Sequence, residues 1–181
     1  MSIVRANSWQ RTDGNLMGTV LKVVSTLYAT PSSQSISAGT DTNITGLTAT
    51  ITPYSTSSKI LVFTRWYGEW SGSSPHDHIY FILRNTTTKI NAQTGTSNRM
   101  SGLATVSTNY QTTGDWNNDS TPETLTFMTL DSPSSTSALT YTVACRYNNA
   151  GTLYTNRTVA DTDSANYERG TSELILMEIA T

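Results

Sequence analysis

The sequence predicts an all-β chain folded as an antiparallel, jelly-roll-like β-sandwich. Roughly nine or ten short apolar segments alternate with turns rich in Ser, Thr, Gly and Pro. No segment long enough to form a helix has apolar residues at the helical period of 3.6. Only 13% of the 181 residues are charged, below the roughly 25% that is usual, and Ser and Thr take their place. We therefore expect a sandwich whose solvent-exposed faces carry hydroxyl groups rather than charged side chains.

The segment GLTATITPYSTSSKILVF, residues 46–63, shows the strand pattern most clearly. Leu47, Ala49 and Ile51 fall on one face of a strand, and the intervening threonines fall on the other. Threonine suits the wet face because its β-branch fits a pleated surface and its hydroxyl stays hydrated. Pro53 cannot donate to a strand ladder, so it ends the strand before a turn that leads into the next one.

The same signs locate the other strands, after a polar arm at residues 1–16. The remainder, 17–181, is predicted to be a single sandwich domain. The predicted strands lie at 18–29, near Ile36, and at 47–52, 59–70, 78–85, 124–130, 139–147, 152–159 and 172–180, with weaker strands at 89–93 and 100–110.

One turn pattern occurs twice, as PYSTSSKILVF at 53–63 and as PSSTSALTYTV at 133–143. Each copy has a Pro, then a Ser/Thr cluster, then a strand. Two interpretations stay open. The hydroxyls of both copies bond nearby backbone groups in a shared turn, or the copies mark corresponding corners of two Greek keys.

Two predicted strands are apolar on both faces, which predicts contacts between subunits. They are KILVF at 59–63 and the closing strand at 174–179, where Ile175, Met177 and Ile179 lie opposite two leucines. A sandwich covers only one face of each sheet, so the second apolar face needs another partner. We expect a homotrimer.

The arm at 1–16 carries the isolated apolar residues Ile3, Val4 and Trp9 among polar neighbours. These are too few to form a core of their own. They suit pockets on another subunit or on a larger particle, where Trp9 can bury a large area. We expect attachment or oligomer contacts at these residues.

PHDH at 75–78 places two histidines beside an aspartate, with Glu69 across the predicted turn. A His-x-His pair on a strand can bind a metal, but the spacing fixes no third ligand. The segment DWNNDS at 115–120 resembles the first half of a calcium loop, but Ser120 stands where Gly is expected. We expect a solvated turn, a polar loop tip and no metal site.

Aromatic residues are frequent for so polar a chain, which raises the question of sugar binding. Trp70, Trp116 and Asp115 combine aromatic faces with a hydrogen-bonding group, a combination that suits glycan contact. Core and interface packing explains the same aromatics and is the favoured interpretation.

The composition excludes several classes of function. The chain has a pI near 5.6 and no Lys/Arg cluster, so we expect no nucleic-acid partner. It shows no signal peptide and no long apolar span, so we expect no membrane contact and no export by the ordinary route. The single cysteine, Cys145, is expected to be a small buried hydrophobic residue. No catalytic residues and no cofactor are expected.

Several segments resemble a family of Ser/Thr-rich virion proteins of tailed bacteriophages of aquatic bacteria, especially cyanophages. They are GTVLKVV at 18–24, ITGLTATITPYSTSSKILVF, MTLDSPSSTSALTYTVACR and the terminal ELILMEIA, and they occur in the family's order over most of the chain. Members are described as tail fibre or structural proteins. WYGEW and PHDH depart from the family pattern, so the resemblance implies nothing about receptor choice.

The resemblance implies a virion structural protein without catalytic residues. We expect a surface-exposed trimeric capsid decoration (cement) protein that contacts the major capsid protein or tail proteins, made in the host bacterial cytoplasm and located on the virion. The alternative is a tail or head fibre, a receptor-binding protein that contacts host surface glycan. A glycan-active enzyme is a more distant alternative. The chain lacks coiled-coil heptads and shaft repeats, which favours decoration.

Overall fold

The structure is a computed structural model that describes residues 18–71, 77–94, 97–106 and 120–180. These ranges contain strands and no helix, and hence no helix that could cross a membrane. The strands are β1 (Val20–Tyr28), β2 (Ser32–Ile36), β3 (Thr42–Ile51), β4 (Lys59–Trp70), β5 (His78–Arg84), β6 (Thr88–Lys89), β7 (Glu123–Asp131), β8 (Leu139–Tyr147), β9 (Gly151–Thr155) and β10 (Ser172–Ile179).

The strands form two antiparallel sheets with jelly-roll topology. In the first sheet, β7 pairs with one edge of β4, and β10 and β9 pair one after the other with its other edge. Strands β1 and β2 continue along β10 and β9, and the second sheet has the order β3-β8-β5-β6. A jelly roll has eight strands, and the ten strands here reduce to eight when β1 with β2, and β9 with β10, are each counted as one. Numbered again from 1 to 8 along the chain, the strands then have the orders 1-8-3-6 and 2-7-4-5, which are those of a jelly roll. The predicted all-β sandwich is confirmed.

The two copies of the Pro-Ser/Thr turn cross between the sheets at the same end of the sandwich. They connect β3 to β4 and β7 to β8, which are neighbours in their sheets. In the first copy Ser57 N donates to Ser55 Oγ at 3.1 Å, and in the second Ser137 N donates to Ser135 Oγ at 3.0 Å. Both interpretations of the repeat therefore hold, because the turns share one hydrogen bond and occupy corresponding corners.

The core lies between the inner faces and is largely aromatic at its centre. Trp66 and Tyr80 are fully buried, with ring centroids 5.3 Å apart, and the Trp66 indole donates to Thr155 Oγ1 at 3.0 Å. Cys145 is buried as predicted, and burial raises the pKa of its thiol to about 12. The thiol is therefore a packing group rather than a reactive one.

Several predicted strands have different limits in the structure, among them the segment predicted at 152–159, where β9 ends at Thr155. The weak strand at 89–93 is reduced to the two residues of β6, and 100–106 contributes only the bridge between Ala104 and Tyr80. A Cβ at Gly102 would lie 2.8 Å from Tyr80 O, so this segment crosses the strand too closely to form a regular ladder. Strand β3 begins five residues before its predicted start, and Gly46, at φ 84°, lies within the break in its register with β8.

Candidate functional site

Trp70 packs in the core, as the favoured interpretation of the aromatic residues predicts, so the alternative of a glycan contact at Trp70 is wrong. Trp70 is 4% exposed, and its indole donates to the Tyr80 hydroxyl at 2.9 Å. Its ring packs against Tyr147 with centroids 5.0 Å apart, so neither face is open to a sugar. Trp116 and Asp115, the other predicted glycan contacts, lie outside the described residues.

The histidine segment is not an exposed metal clamp where the structure describes it. His78 is buried, with Nε2 3.1 Å from Val106 O and its ring 5.3 Å from that of Trp70. The expectation of a solvated turn is therefore wrong for His78. Glu69 lies on the opposite side of β4, where its Oε2 accepts from Val159 N at 2.6 Å.

Within the described ranges no group of three or more His, Cys, Asp or Glu side chains is placed to hold a metal ion. His76 and residues 115–119 lie outside those ranges. The same holds for the arm residues Ile3, Val4 and Trp9, whose attachment role stays a prediction.

The feature that stands out is the outer face of the first sheet, where apolar side chains from four strands lie in register. One row crosses the sheet through Val23, Met177, Leu61 and Leu130. The next row contains Ile175, Phe63 and Met128. We call this surface the apolar face; it consists of Val23, Leu27, Leu61, Phe63, Met128, Leu130, Ile175, Met177 and Ile179.

The apolar face is open to solvent in the part of the chain that the structure describes. Met128 is 65% exposed, Leu27 61% and Val23 56%. The predicted interface residues Ile175, Met177 and Ile179 lie on this face and are partly exposed, because neighbouring strands flank them on both sides. Four strands about 4.8 Å apart and six or seven residues long give an area on the order of 400 Å². This area is comparable with the largest apolar patch of a typical soluble monomer, a patch that is often functional.

Polar and charged groups border the apolar face. Glu173 of β10 and Arg65 of β4 are paired in the row beyond Ile175, and Arg65 Nη2 donates to Thr171 Oγ1 at 3.0 Å. Lys59 pairs with Ile179 at the other end. An apolar centre with a polar border is the usual anatomy of a protein–protein interface.

The opposite surface of the sandwich has different chemistry. On the outer face of the second sheet, Thr48 and Thr142 pair through hydroxyls 2.8 Å apart, and Thr50 and Thr140 pair at 2.9 Å. We call the solvent-accessible residues Thr48, Thr50 and Thr140 the hydroxyl face; Thr142, which is 4% exposed, lies at its buried margin. The sandwich is therefore two-sided, with an apolar face on one sheet and a hydrated one on the other.

Sequence reasoning found only part of the apolar face. It identified the two-faced strands at 59–63 and 174–179, the latter with Ile175, Met177 and Ile179, but missed Met128 and Val23, which come from strands far away in the sequence. The sequence does indicate them, because GTVLKVV and LTFMTL have apolar residues at both odd and even positions, and hence on both faces of a strand. The chain matches no protein-family model, and no curated protein matches it either.

Proposed function

We propose that this chain is a structural protein of a bacteriophage virion, a surface-exposed trimeric decoration protein of the capsid. The apolar face is the observation that carries the proposal. It supplies a surface for other subunits, while the hydroxyl face on the other sheet stays in water. Jelly rolls recur in viral capsid proteins, which agrees with the proposal at the level of fold analogy.

The apolar face extends to both edges of the first sheet, which favours a ring over a pair. Val23 and Leu27 lie on the edge strand β1, and Met128 and Leu130 lie on the edge strand β7. A subunit can therefore offer its β1 side to one neighbour and its β7 side to another. Such head-to-tail contacts close into rings, of which the trimer is the smallest.

The hydroxyl face suits the exposed side of such a particle. A surface of paired threonine hydroxyls is hydrated without relying on ion pairs, which salt weakens by screening. This surface keeps the assembled protein soluble over a wide range of ionic strength.

The experiment that tests the proposed function locates the protein on an intact particle. Antibodies against the purified chain, detected by electron microscopy with gold label, should bind many sites distributed over the capsid shell. Label confined to the tail or to single fibres would instead identify the chain as a tail or head fibre. Absence of label from purified particles that contain all their other proteins would overturn a virion role.

A fibre that binds host glycan is the second candidate function. The observation in its favour is an open polar groove of about 640 Å³ beside the second sheet, lined mainly by hydroxyl, amide and carboxylate groups. Its lining includes Gln34, Asp41, Asn43 and Thr86. Groups of these types form the hydrogen bonds that a neutral sugar requires.

A further inference from the structure

We propose that a cationic depression on the outer side of the second sheet binds the carboxylate of an acidic saccharide. The depression has a volume of about 380 Å³. We define it by its lining residues, which are Lys89, Ser97, Asn98, Arg99, Met100, Ser101 and Arg146. This inference concerns a surface other than the apolar face, so it does not depend on how the subunits assemble.

The charge of the depression is unusual for this chain. Its lining contains three cations and no carboxylate, although the whole chain has a net charge of -2. Asp41 stands beside it and contacts two of the cations, with Oδ2 2.8 Å from Lys89 Nζ and Oδ1 3.4 Å from Arg146 Nη1. One carboxylate shared by two cations leaves the site positive.

Two of the three cations are positioned before any ligand arrives, Lys89 by its side-chain contacts and Arg146 by the place of its backbone in the sheet. Lys89 Nζ lies 4.0 Å from the centre of the buried Phe81 ring as well as beside Asp41. Arg146 lies on β8, in register with Ile79 of β5. A regular sheet and a fixed counter-charge therefore position both groups, which reduces the entropy lost when an anion binds.

Arg146 has hydrogen-bonding capacity to spare. Its guanidinium carries five N–H donors, and within the described residues it makes a single long contact of 3.4 Å to Asp41. Its side chain is 39% exposed. A planar guanidinium with unused donors matches the two oxygens of a carboxylate.

The neutral lining favours a saccharide as the carrier of that carboxylate. Ser97, Asn98 and Ser101 supply hydroxyl and amide groups, although the Ser101 hydroxyl already donates to Gln93 O. These groups suit sugar hydroxyls beside the charged one. Three cations are few for a nucleic acid, which is bound through longer runs of phosphate contacts.

The test measures binding of the full-length protein to polymers by affinity electrophoresis and titration calorimetry. Polygalacturonate, whose sugars carry carboxylates, should bind, and dextran, which is neutral, should not. Arg146→Gln should weaken binding by about tenfold or more, since a charge-assisted hydrogen bond is lost. Arg99→Gln, which removes another of the positive charges of the lining, should weaken binding as well. Arg169→Gln, which removes the same charge from the distant pair with Asp161, is the matched control and should bind like the wild type.

Every other outcome overturns the proposal. Equal binding of dextran would show that the carboxylate is not recognised, and equal binding of single-stranded DNA would show a general polyanion surface. Unchanged binding in both Arg146→Gln and Arg99→Gln would place any site elsewhere. Thermal melting of each variant confirms that it is folded, and the particle-labelling result is unaffected by any of these outcomes.

Discussion

The Arg84 guanidinium and the Asp131 carboxylate join the two sheets of the sandwich. Arg84 Nη1 lies 2.9 Å from Asp131 Oδ1 and 2.7 Å from Oδ2, and the Tyr141 hydroxyl donates to Oδ2 at 2.7 Å. Arg84 and Tyr141 belong to the second sheet and Asp131 to the first, beside one of the crossing turns. Burial, with the hydrogen bond to Asp131, raises the pKa of Tyr141.

Replacing Asp131 should destabilise the protein markedly. Asp131→Ala leaves the guanidinium and a buried hydroxyl without their acceptor, at a cost of about 3 kcal/mol. Tyr141→Phe removes one hydrogen bond and should cost about 1 kcal/mol. Urea unfolding measures both. Asp163→Asn, at an exposed carboxylate, is the control and should change little. An equal effect at Asp131 and Asp163 would contradict the stabilising role of the buried Arg84–Asp131 pair.

Asn156 should be the least replaceable asparagine among the described residues. It is fully buried at φ 64°, its Nδ2 donates to Tyr28 O and Thr30 O at 2.8 and 3.1 Å, and its Oδ1 accepts from Ser172 Oγ at 2.7 Å. This one amide holds the corner between β1 and β2 against the start of β10. It also explains why β9 stops before the predicted limit.

Asn156→Ala should therefore cost about 3–4 kcal/mol, from unsatisfied buried groups and from the left-handed backbone. Asn156→Asp keeps the acceptor but faces two carbonyls with a carboxylate, and it should be destabilised as well. Asn85, at φ 49° and exposed, is the matched control. Thermal and urea unfolding should show a much smaller loss for Asn85→Ala, which removes one exposed hydrogen bond from Thr140 N. Equal losses would mean that the burial of the Asn156 amide adds nothing to its cost.

The free energy of unfolding should fall as the pH rises from about 5 to 8, because the Glu123 carboxyl group loses its proton. Burial raises the pKa of its carboxyl from 4.5 to about 7, and its Oε2 has no hydrogen-bond partner within the described residues. The folded state then binds the proton more tightly than the unfolded state. Stabilisation by the protonated form is complete below pH 4.5 and is lost as the pH passes through 7.

The loss should be about 2 kcal/mol after allowance for the partial exposure of Glu123. Urea unfolding at pH 5 and pH 8 measures it, and the Glu123→Gln variant supplies the control. Since glutamine does not titrate, the variant should lack this part of the slope. The same slope in wild type and variant would assign the pH dependence to other groups.

The alternation of apolar and polar residues was sufficient to predict which face of a strand points into the core. Alternation in β8 places Leu139, Tyr141 and Val143 inward, and all three are buried. Alternation cannot show what covers the other side of a strand. Phe81 and Leu83 point to the outer side of β5 and are nevertheless buried. There Ile79 packs against residues near Gly102, a contact between distant segments.

The apolar face, too, was predictable only in part, because residue alternation describes one strand at a time. The closing strand showed by itself that Ile175, Met177 and Ile179 share a face. That Phe63 and Met128 extend this face depends on the register between β4, β7 and β10. In this register Phe63 pairs with Met128, 65 residues away, and with Ile175, 112 residues away. For Trp70 the sequence left core packing and glycan contact open, because its hydrogen-bond partner, Tyr80, lies on another strand.

The arm at residues 1–16 should be required for incorporation into particles but not for folding of the sandwich. Its predicted contacts, Ile3, Val4 and Trp9, are too sparse to support the core. Deleting 1–16 should leave melting and oligomeric mass nearly unchanged and abolish loading onto particles. Trp9→Ala should weaken loading in the full-length chain. Normal copy number on particles after the deletion would place attachment on the sandwich instead.

The most direct test of the central claim, assembly through the apolar face, is the mass of the purified protein by light scattering at micromolar concentration. The wild type should have three times the mass of the 19.7 kDa chain. Met128→Glu, at a side chain 65% exposed, should yield a folded monomer, whereas Thr50→Glu on the hydroxyl face should stay trimeric. A soluble wild-type monomer, or a Met128→Glu protein that remains trimeric, would contradict the account.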